Sequence, residues 1–171
     1  LLSDGALRRY ERDLAGKVIA EVDPDGARTE YDYDVRGKIA RVSFADGTWI
    51  SYAYNADGQM SGWTRNDGSH ETFEYDLAGK LVRRESSVRG VSTYEWNRNG
   101  KITYARDGWS GDRRYTYDLA GNLTSVRNGL GGTTRYSYDE RNRLILTEFP
   151  DGRVETREYN GRNRATKLTV N

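Results

Sequence analysis

One position recurs every 21 residues along this chain: Gly16, Gly37, Gly58, Gly79, Gly100, Gly121, then Asn142 and Asn163. The register holds without insertion, and self-similarity of this kind constrains a fold more than any local motif. Asn is the residue after glycine that best tolerates positive φ, so Gly and Asn sharing one place marks a backbone requirement rather than a side-chain function. Three residues earlier stand Asp13, Asp34, Asn55, Asp76, Asn97, Asp118, Asp139 and Asn160. Asx side chains accept hydrogen bonds from amides just downstream and so open turns. Asp/Asn-x-x-Gly/Asn is therefore a turn with a physical cause.

Immediately before the turn lies a ring: Tyr33, Tyr54, Tyr75, Trp96, Tyr117, Tyr138 and Tyr159, with Arg12 the exception. Two residues before that comes a second row, Tyr10, Tyr31, Tyr52, Phe73, Tyr94, Tyr115 and Tyr136, broken by Arg157 at its end. Between the rows the residues are almost all polar, as with Asp32, Glu74, Thr116 and Ser137. Alternation at period 2 places both rows on one face of a strand. Beyond the turn an apolar residue follows (Val18, Ile39, Met60, Leu81, Ile102, Leu123, Leu144, Ala165), in a second strand whose patterning is less clear. A further turn closes most units, as at Asp25-Gly26, Asp46-Gly47, Asp67-Gly68 and Asp151-Gly152. It loosens to Arg89-Gly90, Ser110-Gly111 and Gly131-Gly132 in between.

Each unit thus reads as a β-hairpin joined to the next. A helical reading fails against 19 glycines and a dense β-branched and aromatic content. The expected fold is all-β: tandem 21-residue hairpins forming one long, twisted antiparallel sheet. Residues 1–171 make a single array of about eight repeats. With strands about 4.8 Å apart, each unit advances the sheet by about 9.6 Å. One face is aromatic and the other charged. Such a sheet needs its aromatic face covered and its edge strands satisfied, so the chain is expected to be a piece of a longer array, or to cover its face by curling or by self-association, the latter through its sheet edges.

Composition decides between folded and disordered. Leu, Ile, Val and Phe total 30 residues, below the roughly 20% that marks disordered chains. The net charge is only +1, however, and 13 Tyr and 4 Trp supply the missing apolar area. Cys is absent, which excludes a disulfide framework and thiolate chemistry. No apolar run reaches the roughly 20 residues of a membrane span. The 27 basic and 26 acidic residues are interspersed and form no basic face for nucleic acid.

The stretches Glu30-Tyr31-Asp32-Tyr33-Asp34-Val35-Arg36-Gly37-Lys38-Ile39, Arg114-Tyr115-Thr116-Tyr117-Asp118-Leu119-Ala120-Gly121-Asn122-Leu123 and Arg135-Tyr136-Ser137-Tyr138-Asp139 resemble the RHS (rearrangement hotspot) or YD repeat. Bacterial polymorphic toxins, insecticidal toxin complexes and animal teneurins carry similar repeats. The resemblance implies a β-sheet that spirals into a hollow shell and, in bacterial members, encloses a C-terminal toxin. It implies as partners the rest of that shell and its cargo, and a secreted or cell-surface parent protein. The family's C-terminal core-associated segment, self-cleavage site and toxin domain are not matched in this stretch.

Few residues offer chemistry. His70 is the sole histidine, beside the Asp67-Gly68 turn, and reads as surface. The Asp row has the residue type for acid–base pairs or calcium, but a catalytic pair is unique whereas this feature recurs eight times and exchanges with Asn. The stretch Asn128-Gly129-Leu130-Gly131-Gly132 lacks the Lys-Ser/Thr of a phosphate loop and reads as a flexible loop. No cofactor or metal is expected, and no enzyme. The rival is a carbohydrate-binding or adhesion module using exposed aromatics, with Trp49, Trp63 and Trp109, all outside the two rows, as its candidate residues. A hydrolase is the remaining, weakest class.

Overall fold

The computed structural model describes residues 7–108 and 111–171. The chain divides into two compact units, Leu1–Gly90 and Val91–Asn171. The first holds β1 (Arg9–Arg12), β2 (Val18–Val22), β3 (Arg28–Tyr33), β4 (Ile39–Ser43), β5 (Trp49–Tyr54), β6 (Met60–Arg65), β7 (His70–Tyr75) and β8 (Leu81–Ser86). The second holds β9 (Gly90–Trp96), β10 (Ile102–Asp107), β11 (Gly111–Tyr117), β12 (Leu123–Asn128), β13 (Thr133–Tyr138), β14 (Leu144–Glu148), β15 (Val154–Tyr159) and β16 (Ala165–Val170). Within each unit every strand pairs antiparallel with its chain neighbours, and the described residues contain no helix. The all-β hairpin array expected from the period is the observed architecture.

Inner and outer turns are built alike. In the first inner turn the Gly16 amide donates to Asp13 O at 2.9 Å, and the Asp13 amide donates to Lys17 O at 2.9 Å. This is a type I turn closed by one left-handed residue, a standard three-residue hairpin loop. Gly16 carries φ +83°, and Asn142 and Asn163 reach 59° and 63° at the same place. The outer turns repeat the scheme: the Phe44 amide donates to Thr48 O and the Gly47 amide to Phe44 O, with Gly47 at φ +82°. The Asp of each Asp-Gly pair therefore lies one place before the left-handed residue, and only the glycine needs positive φ. The glycine-rich stretch 128–132, expected as a flexible loop, is the same closed turn: Asn128 N donates to Gly132 O and Gly131 N to Asn128 O, with Gly131 at φ +88°.

The blurred pattern of the second strands has a definite cause. Each hairpin carries a β-bulge at its last aromatic pair: Asp32 faces Arg41, whereas Tyr33 faces Ile39, leaving Ala40 extra. The same shift occurs at Arg12, Tyr54, Tyr75, Tyr117, Tyr138 and Tyr159, and opposite Trp96. An extra residue breaks strict alternation. It puts Ile39 and Val42, three apart in sequence, on the same face as Tyr31 and Tyr33.

Packing is lateral. Among the described residues only Ala20 and Val42 are buried apolar side chains, and no large side chain is fully buried. The face-forming rings of β3, β5 and β7 are half-buried, flanked by neighbours on the same face rather than by a second layer. The opposite face carries ion pairs such as Arg83 with Glu74 and Glu85, both at 2.8 Å. Exposed pairs of this kind contribute little each.

The left-handed glycines give a direct test. Gly79 has φ +77°, and a Cβ there would meet only the flexible Gln59 amide, at 3.2 Å. Gly79→Asn should be tolerated, as at positions 142 and 163, while Gly79→Val should cost about 1–2 kcal/mol more. Equal urea midpoints for the two variants would contradict the turn geometry.

Candidate functional site: the tyrosine-lined face

The ladder between successive hairpins is short. The β2–β3 pairing ends at Ala20–Glu30, so the Val18 carbonyl lies beyond its last pair. The Tyr33 hydroxyl takes that carbonyl at 2.6 Å. The arrangement then repeats: Tyr54 to Ile39 O at 2.9 Å, Tyr75 to Met60 O at 2.8 Å, Tyr117 to Ile102 O at 2.9 Å, Tyr138 to Leu123 O at 3.0 Å and Tyr159 to Leu144 O at 2.9 Å. Each hydroxyl reaches back 15 residues into the preceding hairpin, extending the inter-hairpin ladder by one bond. Burial holds the Tyr54, Tyr117 and Tyr138 phenols above their ordinary value of 10, so they remain donors at any working pH.

A second tie runs forward. At Lys17, Lys38, Gln59, Lys101, Asn122 and Arg143 the residue after the left-handed position lies against the next turn. Lys17 stands 4.2 Å from the centre of the Tyr33 ring, Lys38 5.1 Å from Tyr54, Lys101 5.2 Å from Tyr117 and Arg143 4.8 Å from Tyr159. Such contacts contribute about 0.5–1 kcal/mol at exposed sites. Gln59 Nε2 donates to Gly79 O at 2.9 Å and Lys101 Nζ to Gly121 O at 2.6 Å. Where Asn replaces the glycine its side chain joins in: Asn122 donates to Asn142 Oδ1 at 2.8 Å, and Arg143 to Asn163 Oδ1 at 3.3 Å. This row went unremarked in the sequence, although stepping by 21 from Lys17 exposes it.

The first aromatic row meets the second strand of its own hairpin. Tyr31 faces Val42, Tyr52 faces Trp63, Phe73 faces Arg84, Tyr94 faces Ala105, Tyr115 faces Val126 and Tyr136 faces Thr147. Within this face Arg84 Nε donates to Glu71 at 3.1 Å, and that guanidinium holds the Glu71 carboxyl below its ordinary value. The face is aromatic with charge pairs set into it.

The Asp row is occupied by its turns. Asp34 Oδ1 accepts from the Arg36 and Lys38 amides at 2.9 and 2.8 Å, and Asp76 Oδ1 from Ala78 and Lys80 at 2.9 and 2.8 Å. Asp139 adds Arg143 Nε at 2.7 Å, and Asp118 adds the Asn122 side chain at 2.9 Å. These bonds favour the carboxylate. The Lys38 amide leads for Asp34, the Asn122 side chain for Asp118 and the Arg143 guanidinium for Asp139, and all three carboxyls lie below the ordinary 3.8. His70 is exposed at the start of β7, its Nδ1 3.1 Å from Gly68 O.

The tryptophan candidates do not converge. Trp49 lies with Ser51 and Ala53 on the polar face of β5, its ring covered on one side by Arg41 at 4.3 Å. Trp63, which the sequence placed outside the aromatic rows, is the cross-strand partner of Tyr52 and so belongs to the aromatic face. There Arg65 stands 4.9 Å from its ring. Trp109 lies outside the described residues.

Against known proteins, the family model of the teneurin YD-shell matches residues 11–170. The chain belongs to the teneurin YD-shell family. This agrees with the RHS/YD resemblance read from the repeats, and the segment is a structural piece of a YD shell. Solved structures share the fold. The holotoxin pore of the Photorhabdus luminescens Tc toxin matches at TM-score 0.74 and 18% identity, over 95% of this chain and 11% of that one. The crystal structure of TcdB2-TccC3-TEV matches at 0.74 and 19%, over 96% and 11%. That of TcdB2-TccC3-Cdc42 gives 0.74 and 18%, again over 96% and 11%. The YD-shell segment therefore spans about a tenth of the length of the chains it matches. No curated protein matches it in sequence.

Two measurements probe these ties. Tyr117→Phe should cost about 1 kcal/mol in urea unfolding, and Tyr117→Ala about 2–4 kcal/mol, toward the low side of core truncations because the ring is half-buried. A Phe variant as stable as the parent would show that the hydroxyl contributes nothing. The second measurement concerns pH. Because the folded-state carboxyls of Asp34, Asp118 and Asp139 are depressed, their contribution is present above about pH 4 and lost as pH falls below it. From about pH 5 to pH 2 the unfolding midpoint should drop further for the parent than for Asp34→Asn/Asp118→Asn/Asp139→Asn, whose turns keep an acceptor that does not titrate. Parallel curves would contradict this.

Proposed function

We propose that this segment is a stretch of wall in a larger secreted or cell-surface protein, whose YD shell encloses or presents a toxin or effector cargo. Its contribution is structural, without catalysis of its own. Its partners are the remainder of the shell and that cargo. The observation that carries the reading is the pair of ties between hairpins. The tyrosine hydroxyl reaches back to a carbonyl, and the residue after the glycine reaches forward to the next turn. Ties that recur with the period let a sheet grow hairpin by hairpin without a covering layer, which is the requirement for a thin wall. Family membership and the fold shared with Tc toxin chains support the reading. So does the use of the recurring Asp carboxylates as turn acceptors, which accounts for the row without chemistry.

Protease protection in the intact protein tests it. The cargo segment should survive at least about tenfold longer inside the parent protein than when produced alone, and Tyr54→Ala with Tyr75→Ala should shorten that protection. A cargo cleaved equally fast in both settings would overturn the proposal.

A further inference from the structure

The chain holds three Asn-Gly dipeptides: Asn99-Gly100, Asn128-Gly129 and Asn160-Gly161. Asn is among the thermolabile residues, because the amide nitrogen of the following residue can attack its side-chain carbonyl. A glycine in that following place obstructs the approach least. The fold treats the three dipeptides differently. Asn99 stands one place before the left-handed residue, so the Gly100 amide is committed to Asn97 O at 3.0 Å. Asn128 opens an outer turn, and β11 closes on its glycine: a Cβ at Gly129 would stand 3.3 Å from Asp112 N. Asn160 opens an inner turn. Its glycine is exposed, its amide makes no bond among the described residues, and a Cβ added to it would meet nothing within 4 Å. The same turn prepares the other reactant. Asn160 Oδ1 accepts from the Arg162 and Arg164 amides, both at 3.0 Å. These donors polarise the side-chain carbonyl and face the oxygen on which negative charge gathers when its carbon is attacked. They also hold the side chain folded over the turn that Gly161 begins. Asn160 Nδ2, the group that must leave, has no partner among the described residues. Asn99 lacks this preparation, since no backbone amide among the described residues donates to its side chain.

We propose that Asn160 is a site of spontaneous backbone modification, in which the Gly161 nitrogen displaces the side-chain amide. A bond forms from that nitrogen to Asn160 Cγ, and the Cγ–Nδ2 bond breaks. The proton that the Gly161 nitrogen loses to solvent base ends on the departing ammonia. The cyclic imide that results then takes up water. Opening at the side-chain carbonyl leaves aspartate at 160, whereas opening at the main-chain carbonyl leaves isoaspartate, which lengthens the backbone by a carbon. The two products diverge in the fold. Aspartate suits the turn: Asp139, at the same place one unit earlier, accepts from the Arg141 and Arg143 amides at 2.9 and 3.0 Å. The lengthened backbone cannot close that turn. It loosens the β15–β16 hairpin and draws Tyr159 away from Leu144 O, which its hydroxyl reaches at 2.9 Å in the unmodified chain.

Peptide mapping by mass spectrometry, after incubation of the chain in mildly alkaline buffer, tests the site. Labelling with an isoaspartyl methyltransferase counts the rearranged product. In the folded chain Asn160 should convert at least about tenfold faster than Asn99, which is less than such donors supply where water is excluded. In urea the three dipeptides should convert at similar rates, because the turns that distinguish them are gone. Gly161→Ala should fold as the parent does, since Gly161 has no positive φ and open space around it. It should slow conversion at position 160 severalfold while Asn99 keeps its rate. Asn160→Asp should melt no lower than the fresh parent, whereas aged chain that carries isoaspartate should melt lower. Folded chain in which Asn99 converts as fast as Asn160, or in which Asn160 stays intact while it converts in urea, would overturn the proposal. So would a Gly161→Ala variant that converts at the parent's rate.

Discussion

A bulge near the inner turn of a hairpin leaves a carbonyl past the end of the ladder to the next hairpin, and at six places a tyrosine hydroxyl of that next hairpin donates to it. Much else follows from this bond. An unpaired, part-buried carbonyl costs free energy, so the position needs a ring long enough to reach it and able to donate. Tyrosine meets both conditions. The first row lacks this duty and accordingly admits Phe73 and even Arg157. The second row thus ties to backbone carbonyls, whereas first-row residues that reach back meet side chains, as Tyr31 does Glu21 at 3.2 Å and Arg157 does Thr147 at 3.5 Å.

The bond also explains how a sheet with so little buried apolar area holds together. Ordinary domains close a core between two layers, whereas here the rings are half-buried by neighbours in the same layer. Stability then comes as a near sum over units and the ties between them. Bulge, tyrosine, downstream cation and turn carboxylate each recur once per unit in most units, so no single place concentrates the energy. That distribution suits a structural segment of a YD shell.

Much of this was legible in the period. Gly16 through Asn163 located the inner turns, and alternation in Thr29-Glu30-Tyr31-Asp32-Tyr33 gave the first strand and its face. The bulge was not legible, because it spaces Ile39 and Val42 three apart and so imitates noise in a period-2 pattern. That Trp63, outside the two rows, still shares their face was hidden for the same reason: its facing residue, Tyr52, follows from a register that only the bulge defines. The stretch 128–132 misled by composition, since four of its five residues favour turns and suggested looseness, while the backbone closes with the same two bonds as elsewhere. The forward ties were visible in principle, as Lys17, Lys38, Gln59, Lys101, Asn122 and Arg143 share only length and a donor, a property that identity-based comparison overlooks.

That last point bears on how the fold persists at 18–19% identity to the Tc toxin chains. Each constraint here is chemical and has more than one solution. Positive φ accepts Gly or Asn, and the turn acceptor accepts Asp or Asn. The forward tie accepts ammonium, guanidinium or amide. Where one residue changes, its neighbour in the next unit can answer: Asn142 and Asn163 replace glycine and offer side-chain oxygens to Asn122 and Arg143, in place of the backbone oxygen that Lys101 uses at Gly121. Sequence is free to drift within those choices, while the spacing of 21 is not, because a one-residue slip would turn the tyrosine away from its carbonyl and onto the opposite face.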